Sequence, residues 1–584
     1  MTRHPARLAG LVLVLAASLA GAATPTASAS APAAATNRAF ARLVDEILAD
    51  LYARNPTFAT DLGLHRFDAR LEDYSAAAVA AEVEAIDRFE TALRRIDPAT
   101  LDLVERHDRE MLLLSLQSRR LDDTRVRPLE RDPDVYSSGI TNSAYALIKR
   151  DYAPAVERLR SLVAREKAMP GALLEARRNL RDVPRIHAEI AIEQLDGNRE
   201  FFRSAVAEAF AGVGDAALQT EFRRTNDAVI AALGEYEDWL RRELLPRANG
   251  NFAYGADLYR AKLWASEMID TPLAELERIA LADLARNREA FVATARQIDP
   301  TKPPLEVLEA LQLDHPPPQK LLATTQAELD ALGRFMTERH IVTIPPDAPP
   351  AQVQETPPFM RATTSASMDT PGPFEQAKLR GFYSMTLPDP AWPAARQEEF
   401  MRQWFYALIS NVSVHEVWPG HYLQFLYAPG YPSVARKVLG AASNAEGWAH
   451  YCEQMVIDEG FHAEDPRYRL AQLVDALLRD ARFVVGLRMH TQGMTVAQAE
   501  DFFVDEGYQP RAVAVSEAKR GTSDALYGYY TMGKLAILKL RADYQRKLGP
   551  AFRLQDFHDR FIALGPLPLP LVREALLGER GTLF

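Results

Sequence analysis

The segment His415-Glu416-Val417-Trp418-Pro419-Gly420-His421 sets two imidazoles around a carboxylate, and Glu446 adds a second carboxylate 25 residues further on. Two histidines and one acidic residue are the protein ligands of a catalytic zinc site that keeps its fourth position for water. Glu416, next to the first histidine, occupies the place where H-E-x-x-H metallopeptidases carry their general base. The residue types therefore predict one Zn2+ ion on His415, His421 and Glu446. Glu416 would take a proton as water attacks a carbonyl and pass it to the leaving group.

The spacing departs from that motif. Histidines at i and i+4 lie about 40° apart around a helix, within reach of one ion. His421 is at i+6, roughly 600° of rotation, which leaves it ~120° off the face of His415. Pro419 lacks an N–H, and its ring collides with the carbonyl four residues back, that of His415. Gly420 admits backbone angles that other residues resist. The pair should break or bulge the helix between the histidines and swing His421 back. The sequence encodes the distortion but not its direction.

In Asn444-Ala445-Glu446-Gly447-Trp448-Ala449-His450-Tyr451-Cys452-Glu453, the residues Glu446, His450 and Glu453 fall on one helix face. An inward carboxylate beside a tryptophan needs a cation, and zinc would supply it. His450 reads as a group hydrogen-bonded to a ligand, or as the second imidazole in place of His421. Glu453 reads as a solvated or ion-paired helix position. The oxyanion of acyl transfer needs donors besides a metal. Tyr530 is the first candidate, Tyr527 and Tyr529 compete for the assignment, and His490 is a further candidate or a supporting residue around the ligands. Arg520 could pair with a substrate carboxylate, as an exopeptidase acting near a free C-terminus requires.

These side chains need helices to carry them. From Asn37 to Asn55, Phe40, Leu43, Val44, Ile47, Leu48 and Leu51 repeat at three and four, and Pro56 ends the run. Similar periodicity recurs around 77–95, 152–181, 200–246 and 272–298, so the chain is predicted to be mainly α. Two proline-rich stretches interrupt it, one around 302–318 and one from Ile344 to Pro358, and both read as extended connectors. The stretch Gly381-Phe382-Tyr383-Ser384-Met385-Thr386 is short and β-prone.

The order of these motifs resembles a known family. His-Glu-x-x-Pro-Gly-His, then Glu-Gly-Trp-Ala, then Tyr530-Thr531-Met532-Gly533-Lys534-Leu535 is similar to the bacterial domain-of-unknown-function 885 family. The opening Thr60-Asp61-Leu62-Gly63-Leu64-His65-Arg66-Phe67-Asp68 and the later Met368-Asp369-Thr370-Pro371-Gly372 resemble it too, so the likeness spans roughly residues 40–584. It implies a large helical, gluzincin-like fold of two lobes around a cleft, with a small β element near the active site. It also implies a strand edge beside the metal helix that pairs with an extended peptide by strand addition.

Composition suits an exported enzyme. Arg3 and Arg7 precede an apolar run from Leu8 to Ala22 that ends in Ala20-Gly21-Ala22, the pattern of a signal peptide over 1–22. Residues 23–36, rich in Ala, Ser, Thr and Pro, read as a disordered leader, and 37–584 as one domain. Cys452 is the single cysteine, so neither a disulfide framework nor a lipid-bearing cysteine at the cut is expected. The chain is predicted to be periplasmic or secreted, without a membrane span. Its net charge is −11, two units more negative without Arg3 and Arg7. Nucleic acid and anionic membranes are therefore poor partners. The expected function is a zinc peptidase acting on a peptide substrate. A metal hydrolase of a non-peptide ester or amide, and a periplasmic peptide-binding protein without turnover, are the alternatives. Oligomeric state has no signature in the sequence.

Overall fold

The computed structural model describes residues 38–356, 361, 365–375 and 379–584. The predicted signal peptide and leader lie outside these residues. Residues 37–584 form one compact unit. It is mainly α with one small three-stranded sheet.

The apolar periodicities become helices at Arg38–Arg54, Ala76–Arg95, Ala155–Asn179 and Leu273–Ile298. Pro56 does end the first run, and it opens the next helix, Pro56–Asp61, where a missing N–H costs nothing. The expected helix over 200–246 is divided. One helix, Arg185–Arg203, ends before a short turn of helix at Ala205–Ala209, and Ala216–Trp239 starts afresh. Gly212 and Gly214 loosen the chain there, and the Asp215 side chain caps the new start by accepting from Leu218 N–H.

Two apolar cores dominate. The first gathers Tyr136, Leu159, Leu195, Phe202 and Tyr236 from four helices between residues 134 and 239. The second packs Trp404, Val414, Tyr422, Trp448 and Tyr451 around the segments that carry the candidate metal ligands. Each such side chain contributes roughly 1.5–3 kcal/mol on burial, which is what fixes these segments rigidly.

The sheet has the order β1-β3-β2. Strand β1 (Gln352–Glu355) runs parallel to β3 (Phe382–Met385), with Gln352 opposite Phe382, and β2 (Ala366–Asp369) runs antiparallel to β3, with Asp369 opposite Phe382. Two expectations change. The β-prone stretch 381–386 is the central strand, so the edges belong to β1 and β2 and a substrate strand could not add to β3. The proline-rich connector also contains a strand: β1 lies between its proline clusters, because the four residues Gln352–Glu355 keep the N–H groups a ladder needs.

The opening motif docks on the chain beyond β2. Phe374 N–H donates to the Leu62 carbonyl at 3.0 Å. Gly63, at φ +86°, and Gly372 let the two backbones touch, and a Cβ on Gly63 would sit 2.6 Å from Glu375 N. His65 bridges Asp68 and Glu375, each at 3.2 Å, and stacks on Tyr152 at 3.7 Å.

Candidate metal centre

The helix Tyr406–Glu416 carries His415 and stops at the next residue, while His421 opens a second helix, His421–Leu426. Between them Val417 and Trp418 N–H both turn back to the Ser413 carbonyl, and Gly420 N–H reaches Val414 O at 3.0 Å. The Trp418–Pro419 peptide is cis. Gly420 has no substitute here, since an added Cβ would collide with the His415 carbonyl. The distortion is thus a restart and not a bulge. It sets the two imidazole rings edge to face at 87°, with centroids 4.8 Å apart.

The helix Ala442–Asp458 supplies Glu446 and locks the break. Trp448 Nε1 donates to the Pro419 carbonyl at 2.8 Å. Gly447 lies against Gly533 of the helix Tyr529–Leu548, so closely that a Cβ on either would overlap the other's backbone. That crossing, the most extensive helix contact among the described residues, sets the start of the helix that carries Tyr530 against the helix that carries Glu446.

His415 Nε2 lies 3.4 Å and His421 Nε2 3.2 Å from Glu446 Oε2. One donor atom from each of the three residues falls within 4.8 Å of the others. Tetrahedral zinc with bonds of ~2.0–2.1 Å separates its donors by about 3.3 Å, so the spacing fits. Glu446 Oε2 and His421 Nδ1 are buried without a hydrogen bond. Such atoms are costly unless something else meets them, and for the carboxylate oxygen an ion between the three residues would do so.

Glu453, read from the sequence as solvated or ion-paired, is 1 % exposed and central. His415 Nδ1 donates to its Oε1 at 2.7 Å, and His450 Nδ1 contacts its Oε2 at 3.0 Å. Arg479 adds a cation at 3.3 Å. The bond to Glu453 anchors the Nδ1 side of the ring and turns Nε2 toward Glu446. Burial opposes charge on His415, yet Glu446 and Glu453 outweigh it and lift the imidazole to about 10. Burial would raise the Glu446 carboxyl, but the facing His421 and His415 hold it well below the usual range.

The remaining predicted residues divide. Glu416 is half-buried at the end of its helix, and its charge, after burial, helps keep the Tyr383 phenol of β3 neutral. The Tyr530 ring lies 6.4 Å from that of His415. Arg520 sits beside Tyr530 but is already engaged: its Nη2 lies 3.0 Å from Asp524 and donates to the Tyr529 and Tyr530 hydroxyls, each at 3.3 Å. His450 does not replace His421, and it touches Glu453 instead of a ligand. Burial drives its imidazole down to about 3, so it is a neutral donor. His490 is not beside the ligands. Its Nε2 bonds the Gly521 carbonyl at 2.8 Å and its Nδ1 faces Tyr254 N–H at 3.3 Å, which ties down the chain next to Arg520.

Two further arginines went unread. Arg482 makes a bidentate pair with Glu517 and lies 5.1 Å from the Tyr530 ring, and Arg479 lies 5.8 Å from it. Arg479 and Arg482 sit among apolar neighbours (Ala476, Leu477, Leu478, Ala481, Phe483, Val484) in the helix Pro466–Thr491, and that was the available signal, since a buried guanidinium requires a partner. Beyond Tyr529 and Asp524 opens a cavity of about 420 Å³ that also reaches Ala442, one helical turn from Glu446 on the same face.

A mainly helical protein with a His-His-Glu cluster at a helix restart is the class that fold and site define. The family described as bacterial protein of unknown function (DUF885) matches residues 56–576, and the chain belongs to it. Among solved structures it is similar to a protein from Shewanella oneidensis described as a candidate lipoprotein of unknown function, with 25 % identity and TM-score 0.77, over 92 % of this chain and 99 % of that one. A candidate lipoprotein from Colwellia psychrerythraea shares the fold at 17 % identity and TM-score 0.78, over 92 % and 98 %. No curated protein matches the sequence. None of the described helices is long and apolar enough to cross a membrane.

Proposed function

We propose that the chain is an exported zinc-dependent metallohydrolase, a gluzincin-like peptidase. The observation that carries this reading is Glu446 Oε2, buried without a hydrogen bond and 3.2–3.4 Å from two imidazole nitrogens. His415, His421 and Glu446 would hold the ion. Zinc when bound supplies a Lewis acid and a water nucleophile near neutral pH.

The chain's own groups do the rest. Glu453 holds the proton on His415 Nδ1 and so keeps Nε2 available. Glu416, the only carboxylate directly beside a ligand in sequence, accepts the proton of the attacking water and returns it to the leaving amine nitrogen. Arg520 donates to the Tyr530 oxygen, which leaves the phenol hydrogen to donate to a developing oxyanion. Export fits the apolar run Leu8 to Ala22 and the description of both solved relatives as candidate lipoproteins.

The test is metal content followed by a peptide library. About one zinc per chain, lost in His415→Ala and Glu446→Ala, with peptide cleavage abolished in Glu416→Gln, is the expected result. A parent protein that takes up no zinc on dialysis sinks the reading, and turnover of esters but of no peptide would move it to the non-peptide class.

A further inference from the structure

On the His421 side of the candidate centre lies a second cavity, of about 260 Å³. Its walls are apolar and stiff. Five prolines, Pro345, Pro349, Pro371, Pro373 and Pro429, contribute, and Tyr422, Phe425, Leu426 and Leu379 complete the apolar lining. Proline fixes its own backbone angle, so a proline-lined wall keeps its shape without side-chain rearrangement. The wall is also clamped from behind. Phe374 is bonded to Leu62, Glu375 is held by His65, and Arg150 ties the end of β2 through Asp369.

Phe425 connects this cavity to the metal site. It is four residues after His421, one turn along the same helix face, and the two rings stack with centroids 6.1 Å apart. It is also 42 % exposed, so its ring can be reached from solvent. Among the described lining residues, Thr370, Tyr422, Asp347 and Glu375 carry polar side-chain groups. The volume falls below the ~300–1,000 Å³ of pockets that hold a whole small ligand. It suits part of a ligand.

We propose that this cavity is a specificity pocket that takes one apolar side chain of the substrate, of leucine, methionine or phenylalanine type. The proposal rests on the peptidase reading for its occupant. The pocket's position beside His421 makes the residue it selects one that flanks the scissile bond. Polyproline walls and the Phe425 ring supply contact, and the 260 Å³ volume limits the selection to a single side chain.

Two measurements separate this inference from the reading beneath it. The first is cleavage of a blocked peptide library by the zinc-loaded enzyme and by Phe425→Trp, a change that fills the cavity from a partly exposed position. The second is saturation-transfer NMR of N-acetyl-leucinamide, N-acetyl-alaninamide and N-acetyl-aspartamide against the Glu416→Gln protein, with and without Phe425→Trp. Expected are a preference of about 10-fold or more for the large apolar residue over alanine at one position, its loss in Phe425→Trp, and leucinamide contact that Phe425→Trp abolishes. Cleavage indifferent to side chain, unchanged in Phe425→Trp, overturns the pocket and leaves the peptidase standing. Leucinamide binding that depends on Phe425, without cleavage of any peptide, keeps the pocket and discards the peptidase. Absence of both cleavage and binding overturns the pocket.

Discussion

Glu453 accepts a hydrogen bond from His415 Nδ1 at 2.7 Å, with both residues buried and Arg479 closing the other side of the carboxylate. The bond sets which nitrogen of His415 is available to an ion. It also explains why a carboxylate two turns from Glu446 can afford full burial: the Arg479 cation and the hydrogen bonds from His415 and His450 outweigh the desolvation, and its carboxyl sits well below the usual range.

Glu453→Gln keeps the shape and removes the charge. Zinc affinity should fall by about 10–100-fold, as for other outer hydrogen-bond partners of metal-bound histidines, while the fold persists. Competition titration with a chelator of known affinity measures it. Glu453→Ala should do more, destabilising by about 3–5 kcal/mol because Arg479 is left buried without one of its partners. Equal zinc affinity in Glu453→Gln and the parent would remove Glu453 from the site's function.

Gly447→Ala should be among the most damaging conservative changes in the chain. The new methyl would overlap the Gly533 backbone and force the helices Ala442–Asp458 and Tyr529–Leu548 apart. Overpacking of this kind costs about 1–3 kcal/mol, and more where backbone is the obstacle. Gly171→Ala is the control: it lies within the helix Ala155–Asn179 with nothing near the added methyl, and should stabilise by ~0.5–1 kcal/mol. Thermal unfolding of both variants, with zinc uptake of Gly447→Ala, checks this. A Gly447→Ala protein as stable as the parent would mean that the crossing has slack.

His65 makes the clamp on the segment beyond β2 sensitive to pH. Burial disfavours its charge, but Asp68 and Glu375 on either ring nitrogen raise it to about 9. A raised histidine stabilises fully below its free value of ~6.5 and loses that contribution as pH climbs through about 9. On the acid side the limit is set by Asp68, whose carboxyl His65, Tyr152 and Thr60 depress against the pull of burial. The ring is partly exposed, so about 1 kcal/mol, or roughly 5-fold in opening, is the expected size. Hydrogen exchange of Phe374 N–H should be ~5-fold faster in His65→Gln than in the parent at pH 6.5, and equal at pH 9.5. The same ratio at both pH values would exclude the ionic latch.

What the sequence made legible follows from the range of each interaction. His415, Glu416, His421 and Glu446 are chemically distinctive and close in the chain, and helix rotation alone showed that Pro419-Gly420 must break their register. The direction of the break depended on Trp448 reaching Pro419, a contact 29 residues long that periodicity does not encode. Glu453 was seen on the right helix face but not given its partner, because Arg479 arrives from another helix. His490 was placed by its neighbourhood in sequence, whereas its ring nitrogens are taken by backbone groups at Gly521 and Tyr254. Strand β1 was masked by the prolines on either side of it.

Tyr530 offers the cleanest separation of binding from chemistry. Its phenol receives a hydrogen bond from Arg520 at 3.3 Å, and Arg482 lies 5.1 Å from its ring. Both interactions orient the hydroxyl without consuming its hydrogen. Tyr530→Phe keeps the ring in place, so zinc content and thermal stability should stay close to those of the parent. Loss of one oxyanion donor costs about 10²–10³-fold in kcat. KM should change little, because the donor acts only on charge that develops during the reaction. Arg520→Lys should reproduce part of that loss, since an ammonium cannot match the guanidinium's geometry toward Asp524 and both phenols at once. Steady-state kinetics on the best peptide from the library decides it. A Tyr530→Phe enzyme with unchanged kcat would show that the oxyanion donor is another group, with Tyr529 next to be tried; a raised KM at constant kcat would make Tyr530 a substrate contact instead.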